Sequence, residues 1–182
     1  MNERELNIRK TIFEMFQQRG YTDIQKDDDN ITAFKPDGKG IYAFCSIVDK
    51  LNVNEINGRI DILQKQEIAH GIIIYEGTPT SVVKSIIANM PDIDMNIELF
   101  SADDLQFNIT KHYLVPQHIR LSKEEAKNFK EKYDAKNIPV LLRTDPVAKF
   151  YDFSKGDIVK IIRKGGFVSY RIVHWTKWRR SI

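Results

Sequence analysis

The sequence predicts a mixed α/β and α+β protein of two domains, and three observations lead to this prediction. The chain has 182 residues, more than the ~150 of a typical domain. Its net charge changes from −7 over residues 1–108 (11 Lys/Arg, 18 Asp/Glu) to +10 over residues 109–182 (17 Lys/Arg, 7 Asp/Glu). Strand and helix periodicities alternate in the first part, whereas the second ends on two β-branched runs joined by glycines. We predict an N-terminal α/β domain over 1–108 and a small C-terminal α+β domain with a β-hairpin over 109–182.

The composition is typical of a globular protein in a reducing compartment. Hydrophobic residues make up 42% of the chain and charged residues 29%, which excludes collagen and low-complexity scaffolds. No apolar run approaches the ~18 residues that cross a bilayer, and the polar segment Met1–Lys10 is unlike a secretory signal. Cys45 is the single cysteine, so no internal disulfide can form. We expect no membrane partner and place any anionic partner on the positive second domain.

The first half of the N-terminal domain begins with a helix and continues into a hairpin. Apolar residues three and four apart predict the helix over Asn2–Arg19, which Gly20 is placed to end. Two strands follow, Ile31–Lys35 and Ile41–Val48. The segment Pro36–Gly40 joins them and has the residues of a tight turn.

Two further helices alternate with strands in the rest of this domain. The second helix runs from Val53 to about Ala69, and Ile72–Tyr75 is a buried strand. Thr78 is predicted to cap the third helix, with Pro79 at its first helical position. Asn96–Phe100 is the next strand, so we expect a parallel α/β unit with crossover connections.

The C-terminal domain has two helix starts and a hairpin. Ser122–Glu125 has the capping-box spacing, and Asp145-Pro146 predicts a short helix through Tyr151. The strands Asp157–Arg163 and Phe167–His174 are joined by a loop with two successive glycines. Both faces of the first strand are mostly apolar, so we expect the hairpin to pack on both sides, one of them against a partner.

The sequence offers no convincing catalytic, metal or cofactor site. Cys45 lies inside an apolar strand, which is typical of a core residue. His112 and His118 are six residues apart, and this is not a metal-ligand spacing. Neither a P-loop nor a dinucleotide-binding glycine motif is present. We therefore predict no catalytic residues, no metal and no cofactor.

Two alternative functions remain open on the sequence alone: a metal-dependent nuclease and a nucleic-acid-binding module. Asp37 and Lys39 form an Asp-x-Lys pattern, as in metal-dependent nucleases, but in a turn and with only one carboxylate. The second alternative is a stand-alone nucleic-acid-binding module, since basic residues alternate with aromatic ones near the C-terminus. The residues of that cluster are Lys160, Arg163, Lys164, Tyr170, Arg171, Trp175, Lys177, Trp178, Arg179 and Arg180.

The second half also resembles a known family through several motifs in one order. These are Asn108–His118, Ser122–Glu125, Asp145–Tyr151, Lys155-Gly156, Val159–Arg163 and Tyr170-Arg171. They are similar to the fifth shared subunit of eukaryotic nuclear RNA polymerases and to its smaller archaeal counterpart. The resemblance covers nearly all of residues 108–174.

The first half resembles the eukaryotic N-terminal domain of this family more weakly. The similar segments are Ile8–Ile12, Arg19–Tyr21 and Gly77–Ser81, where Thr80 departs from the family's Thr-Pro-Ser-Ala pattern. Since the archaeal counterpart lacks this domain, the resemblance implies a eukaryote or a eukaryotic virus. Ile outnumbers Ala by 25 to 8 and Lys outnumbers Arg by 18 to 10, which suits the AT-rich genome of a large DNA virus or a compact parasite.

The family resemblance implies a non-catalytic subunit of a DNA-directed RNA polymerase, in the nucleus or in a cytoplasmic viral factory. Its C-terminal domain is expected to dock on the largest subunit near the small omega-like subunit. Its N-terminal domain, nuclease-like without a nuclease site, is expected in the lower jaw along downstream DNA. The charge of −7 predicts weak, sequence-independent DNA contacts that depend on tethering to the polymerase.

The resemblance and the helix starts together select two sets of residues. The residues expected to face DNA are Thr78, Pro79, Thr80, Ser81 and Lys84. The residues expected to bind partner subunits are His112, Leu114, Val115, Pro116, His118, Asp145, Pro146, Val147, Lys160, Arg163, Tyr170 and Arg171.

Overall fold

The computed structural model describes residues 2–27, 29–134 and 137–175. It has a mixed α+β fold with two sheets and, within the described residues, five α-helices. The chain separates into two compact units, Met1–Asn108 and Ile109–Ile182. The predicted basic tail beyond Trp175 lies outside the described residues. Among the described helices, none is long and apolar enough to span a membrane.

A five-stranded sheet forms the centre of the N-terminal unit. Its strands are β1 (Asp23–Lys26), β2 (Asn30–Phe34), β3 (Gly40–Val48), β4 (His70–Tyr75) and β5 (Asn96–Ser101). They lie in this order across the sheet. The pairs β1–β2 and β2–β3 are antiparallel, whereas β3–β4 and β4–β5 are parallel. The predicted hairpin and the predicted parallel strands are therefore both present.

Three helices pack on this sheet: α1 (Glu3–Gln18), α2 (Val53–Lys65) and α3 (Ser81–Asn89). Helix α1 contacts β2 and β3, and its apolar residues Ile8, Ile12, Met15 and Phe16 are fully buried. Helices α2 and α3 share one core cluster with alternate residues of the strands, among them Phe44 and Ile73.

Gly71 in β4 allows one of these helices to approach closely. A Cβ atom at this position would lie 2.5 Å from Cδ1 of Leu63 on α2 and 3.2 Å from Cδ1 of Ile97 on β5. Helix α2 therefore packs closely against β4 at Gly71, because glycine has no Cβ atom to hold them apart.

Three details of the N-terminal unit differ from the sequence prediction. Strand β1 was not expected, because its four residues lack an apolar alternation. Helix α2 ends at Lys65 instead of about Ala69, since Glu67 adopts a φ of 55° and the Ile68 N–H bonds to the Leu63 carbonyl.

The third difference is the start of α3, where the prediction of Thr78 as the cap is wrong. The N-cap is Thr80, whose Oγ1 accepts a hydrogen bond from the Val83 N–H at 3.3 Å. Pro79 is buried ahead of the cap instead of opening the helix. Thr80 as cap places Val83, the buried residue of α3, at the third helical position, where its N–H meets the cap hydroxyl.

The C-terminal unit is built around a four-stranded sheet. Its strands are β6 (Gln117–Arg120), β7 (Val140–Leu142), β8 (Ile158–Ile162) and β9 (Val168–His174), in the order β6-β8-β9-β7. The pair β8–β9 is the predicted antiparallel hairpin, and Gly165 and Gly166 in its loop have φ of 85° and 81°. Strand β7 runs parallel to β9 and was not predicted, because its apolar run is only three residues long.

Two helices complete the C-terminal unit: α4 (Lys123–Lys132) and α5 (Pro146–Phe150). The predicted caps of both helices are confirmed, a capping box at Ser122 and Glu125 and an N-cap at Asp145. One buried core cluster contains Leu141, Ala148, Phe153, Val159, Ile161 and Val173. Helix α4 has no buried residue and contacts the sheet through Phe129, whose ring centroid lies 4.5 Å from that of Tyr170.

Candidate functional site

An exposed apolar ridge precedes the first strand of the C-terminal unit. We call residues 113–116 the ridge; they follow a short 3-10 helix, Ile109–Lys111. The Val115 N–H donates to the His112 carbonyl at 2.9 Å, and the Leu114 N–H donates to Nδ1 of His112 at 3.3 Å. This turn leaves Leu114 69% exposed. Tyr113 beside it is 67% exposed, so the two side chains together form an exposed apolar patch of the kind that marks a contact surface.

A cavity of about 560 Å³ lies beside the ridge, and we call it the docking cavity. It brings together eight of the twelve residues predicted to bind partner subunits. These are Leu114, Val115, Pro116, His118, Asp145, Val147, Arg163 and Arg171. Residues from the ridge, α5 and the hairpin thus converge on one surface, although up to 57 positions separate them in the sequence.

The docking cavity combines apolar walls with two cations. Arg163 follows β8 and is exposed, while Arg171 in β9 donates from Nη1 to the Val140 carbonyl at 3.1 Å. Asp145 supplies a carboxylate, but its Oδ1 already accepts from the Val147 N–H at 2.9 Å as the cap of α5. The cavity is therefore suited to an apolar side chain beside acidic groups.

Four predicted partner-binding residues do not line this cavity. Lys160 and Tyr170 are opposite each other in the β8–β9 ladder and point to the other face of the sheet, because side chains alternate along a strand. There Tyr170 packs against Phe129 of α4. His112 precedes the ridge, is exposed and accepts the hydrogen bond from the Leu114 N–H, and Pro146 is exposed at the first helical position of α5.

The predicted DNA-facing residues lie at the start of α3. Thr80, Ser81 and Lys84 are exposed, and Lys84 is one helical turn beyond Thr80 on the same side. Thr78 is exposed in the loop before the helix, whereas Pro79 is buried and cannot meet a ligand directly. The structure therefore concentrates the exposed polar groups of this segment on the first turn of the helix.

Two arginines that support the C-terminal unit were missed by sequence reasoning. Arg120 donates from Nη2 to the Asp152 carbonyl at 2.6 Å, and its Nε lies 3.0 Å from Oδ2 of Asp157. Arg143 pairs with Asp152 at 3.3 Å, and its guanidinium carbon lies 4.4 Å from the ring centroid of Trp175. No sequence pattern distinguishes them from surface arginines, since their partners come from other elements.

The residues considered for catalysis are a buried cysteine and two charged residues of a turn. Cys45 is buried, and burial raises the pKa of its thiol to about 12, so it is not a nucleophile near neutral pH. Asp37 and Lys39 lie on the exposed turn between β2 and β3 and pair with each other at 3.4 Å. Asp37 also accepts from the Lys39 N–H at 3.2 Å, which is typical of a turn carboxylate.

Comparison with known proteins places the chain in a family. Residues 107–173 match the family model described as RNA polymerase Rpb5, C-terminal domain. The chain is 31% identical to the DNA-directed RNA polymerases I, II, and III subunit rpabc1 of Dictyostelium discoideum, over 93% of this chain and 96% of that protein. It is 34% identical to the putative DNA-directed RNA polymerase subunit 454R of Invertebrate iridescent virus 6, over 88% and 94%.

A nematode relative, the RPABC1 subunit of Caenorhabditis briggsae, is 29% identical over 91% of this chain and 93% of its own. One solved structure, an ATP-dependent Type ISP restriction-modification enzyme bound to DNA, aligns with a TM-score of 0.44 and 16% identity. That alignment covers 76% of this chain and about a tenth of the enzyme.

These similarities define the class of protein first: a subunit of a multisubunit DNA-directed RNA polymerase, acting in transcription. Within that class, the chain belongs to the Rpb5 (RPABC1) family, whose similar members include cellular and viral subunits. The family identification made from the sequence motifs is confirmed.

Proposed function

We propose that this chain is a non-catalytic polymerase subunit that docks on the largest subunit, near the omega-like subunit, through its C-terminal unit. The observation that supports this most directly is the docking cavity, where the exposed Leu114 stands beside Arg163 and Arg171. Burying a leucine side chain contributes about 1.5–3 kcal/mol, and arginines pair in bidentate geometry with partner carboxylates. The chain would then be found with its polymerase, in the nucleus or in a viral factory.

Co-purification of polymerase subunits with the tagged full-length chain tests this docking. A charge placed on the ridge by Leu114→Glu should lower recovery of the largest subunit at least about tenfold, since the interface loses its apolar contact and gains a buried carboxylate. The matched control is Leu6→Glu, which changes an exposed leucine of α1 in the same way. Equal recovery of the largest subunit with wild type and Leu114→Glu would refute docking through this cavity.

We further propose that the N-terminal unit forms part of the lower jaw and faces downstream DNA at the start of α3. Helix N-termini attract phosphates, and Lys84 adds a positive charge one turn on. With a net charge of −7, the unit should bind DNA weakly and only as part of the polymerase.

Photo-crosslinking from α3 to downstream duplex DNA in the purified polymerase tests the jaw proposal. Lys84→Glu should reduce the crosslink from position 81 about threefold or more, by removing one phosphate contact and adding repulsion. Lys65→Glu, at the end of α2, is the control. Tight, salt-sensitive DNA binding by the isolated full chain would instead favour the stand-alone nucleic-acid-binding module.

A further inference from the structure

A second cavity, of about 480 Å³, adjoins the docking cavity, with which it shares Leu114, Val115, Pro116 and Arg163, and we call it the hairpin cavity. Tyr113, Leu114 and Pro116 of the ridge form one side of it, and Ile162, Arg163 and Lys164 of the hairpin form the other. Phe167 follows in the hairpin loop and is 74% exposed, the largest exposure of the apolar residues at this tip. Phe167 does not itself line the cavity, but it lies three positions beyond Lys164, which does, and it is exposed to a partner.

The charge of the hairpin cavity is positive. Two of its lining residues, Arg163 and Lys164, are cations, and none of them is acidic. The Lys164 ammonium lies 5.2 Å from the ring centroid of Tyr113, a cation–π contact that orders the side chain without neutralising it. No acidic residue among the described ones that line this cavity neutralises Arg163 and Lys164. Their positive charge is therefore available to an anionic group of a partner.

The hairpin side of the cavity is also held in place before any partner binds. The Arg163 N–H donates to the Phe167 carbonyl at 2.8 Å, and the Gly166 N–H donates to the Arg163 carbonyl at 3.1 Å. These bonds close the loop tightly, and Gly165 and Gly166 supply the positive φ that it needs. A preformed site loses little conformational entropy when it binds, which favours a specific contact.

We infer that the hairpin cavity binds an acidic segment of a neighbouring polypeptide in the polymerase, which inserts one aliphatic or aromatic side chain. The inference rests on the proposed docking function and specifies the chemistry of a partner next to the docking cavity. Ile162, Leu114 and Pro116 provide the apolar walls for the inserted side chain. Arg163 and Lys164 pair with its acidic neighbours.

A polypeptide fits this surface better than nucleic acid. Two cations would neutralise only about two phosphates, which gives weak binding at physiological salt. Apolar walls exclude water from an inserted side chain, whereas the phosphate backbone gains nothing from them. The positive charge and the apolar lining therefore both favour an acidic polypeptide segment.

The test is photo-crosslinking from Phe167 within the purified polymerase, using the tagged full chain with benzoylphenylalanine at this position. We expect the crosslinked peptide to have more Asp and Glu than Lys and Arg and to carry an aliphatic or aromatic residue at the crosslink. Lys164→Glu should lower the crosslink yield per polymerase recovered by about tenfold, because one attractive charge becomes repulsive. Lys164→Arg should preserve the yield.

The controls separate this inference from the proposed function. Benzoylphenylalanine at Tyr133, an exposed aromatic residue at the end of α4, should give a crosslink that does not respond to Lys164→Glu. Any of four results would overturn the inference: a crosslink to nucleic acid, a crosslinked peptide without acidic excess, no crosslink, or an unchanged yield with Lys164→Glu. None of these results would contradict docking, as long as the polymerase subunits still co-purify. Failure of co-purification itself would refute both.

Discussion

Arg19 and Glu98 form a bidentate ion pair inside the N-terminal unit. The two hydrogen bonds, Nη1 to Oε1 and Nη2 to Oε2, are 2.6 and 2.9 Å long, and the side chains are only 3% and 7% exposed. Nε2 of His70 lies 2.7 Å from the same carboxylate. The residue that caps the end of α1 is thereby joined to β5, 79 positions later in the sequence.

Removing one member of this pair should destabilise the fold more than removing both. Arg19→Met leaves the Glu98 carboxylate buried without its main partner, which costs about 3–5 kcal/mol of unfolding free energy. Adding Glu98→Gln removes that charge and should recover a large part of the loss. Urea unfolding measures both variants, with Lys10→Met on the exposed side of α1 as the control. Equal losses in the single and the double variant would contradict a coupled pair.

The same carboxylate should make stability depend on acid pH. Burial opposes ionisation of Glu98, but the Arg19 charge and hydrogen bonds from His70 and Arg19 outweigh it and hold its pKa well below the ordinary value of 4.5. A lowered pKa in the folded state stabilises the fold above pH ~4.5, and this contribution is lost as the pH falls towards the folded-state pKa.

The measurement is the difference in unfolding free energy between wild type and Glu98→Gln at several pH values from 7 to about 3. We expect the wild type to lose more stability than the variant below pH ~4.5, because the variant has no proton to bind at this position. Parallel curves for the two proteins would show that Glu98 titrates normally.

The contact between Gly71 and Leu63 predicts a strong effect of adding one methyl group. Gly71→Ala should destabilise the protein by about 1–3 kcal/mol, because its Cβ would lie 2.5 Å from Cδ1 of Leu63. Gly58→Ala in α2 is the matched control, since a Cβ there meets nothing within 4 Å and alanine favours a helix. Thermal unfolding of both variants is the measurement, and a Gly71→Ala protein as stable as wild type would disprove the close contact.

The corrected start of α3 can be tested with two alanine substitutions. Thr80→Ala should cost about 1 kcal/mol of unfolding free energy, since it removes the hydroxyl that accepts from the Val83 N–H. Thr78→Ala lies before the helix and should change stability by less than about 0.5 kcal/mol. Denaturant unfolding compares the two variants, and a larger loss in Thr78→Ala would return the cap to the position expected from the sequence.

Features set by neighbouring residues were predictable from the sequence. The capping box of α4, the proline start of α5 and the glycines of the β8–β9 loop each depend on residues within four positions of one another. The cap of α3 was missed by two positions because Thr78 and Thr80 both have a suitable hydroxyl. The hydrogen bond from the Val83 N–H to Thr80 and the burial of Pro79 distinguish them, and both depend on the folded chain.

Features set by distant residues were not predictable in the same way. Strands β6 and β7 are short and lie at the two edges of their sheet, so their pairing depends on the hairpin between them. The split between the docking cavity and the Lys160–Tyr170 face follows from strand alternation, which the sequence contains for β8. That the ridge lines the docking cavity, on the opposite face from Lys160 and Tyr170, could be seen only in the structure.

The position of β9 between β8 and β7 has a consequence for synthesis on the ribosome. An inner strand that comes last among the nine described strands leaves its sheet incomplete until residue 174 has left the exit tunnel. Nascent polypeptides that end before β9 lack Arg171 and the strand that carries it. Under the docking proposed above, incomplete translation products would lack part of the surface with which the finished subunit binds its polymerase.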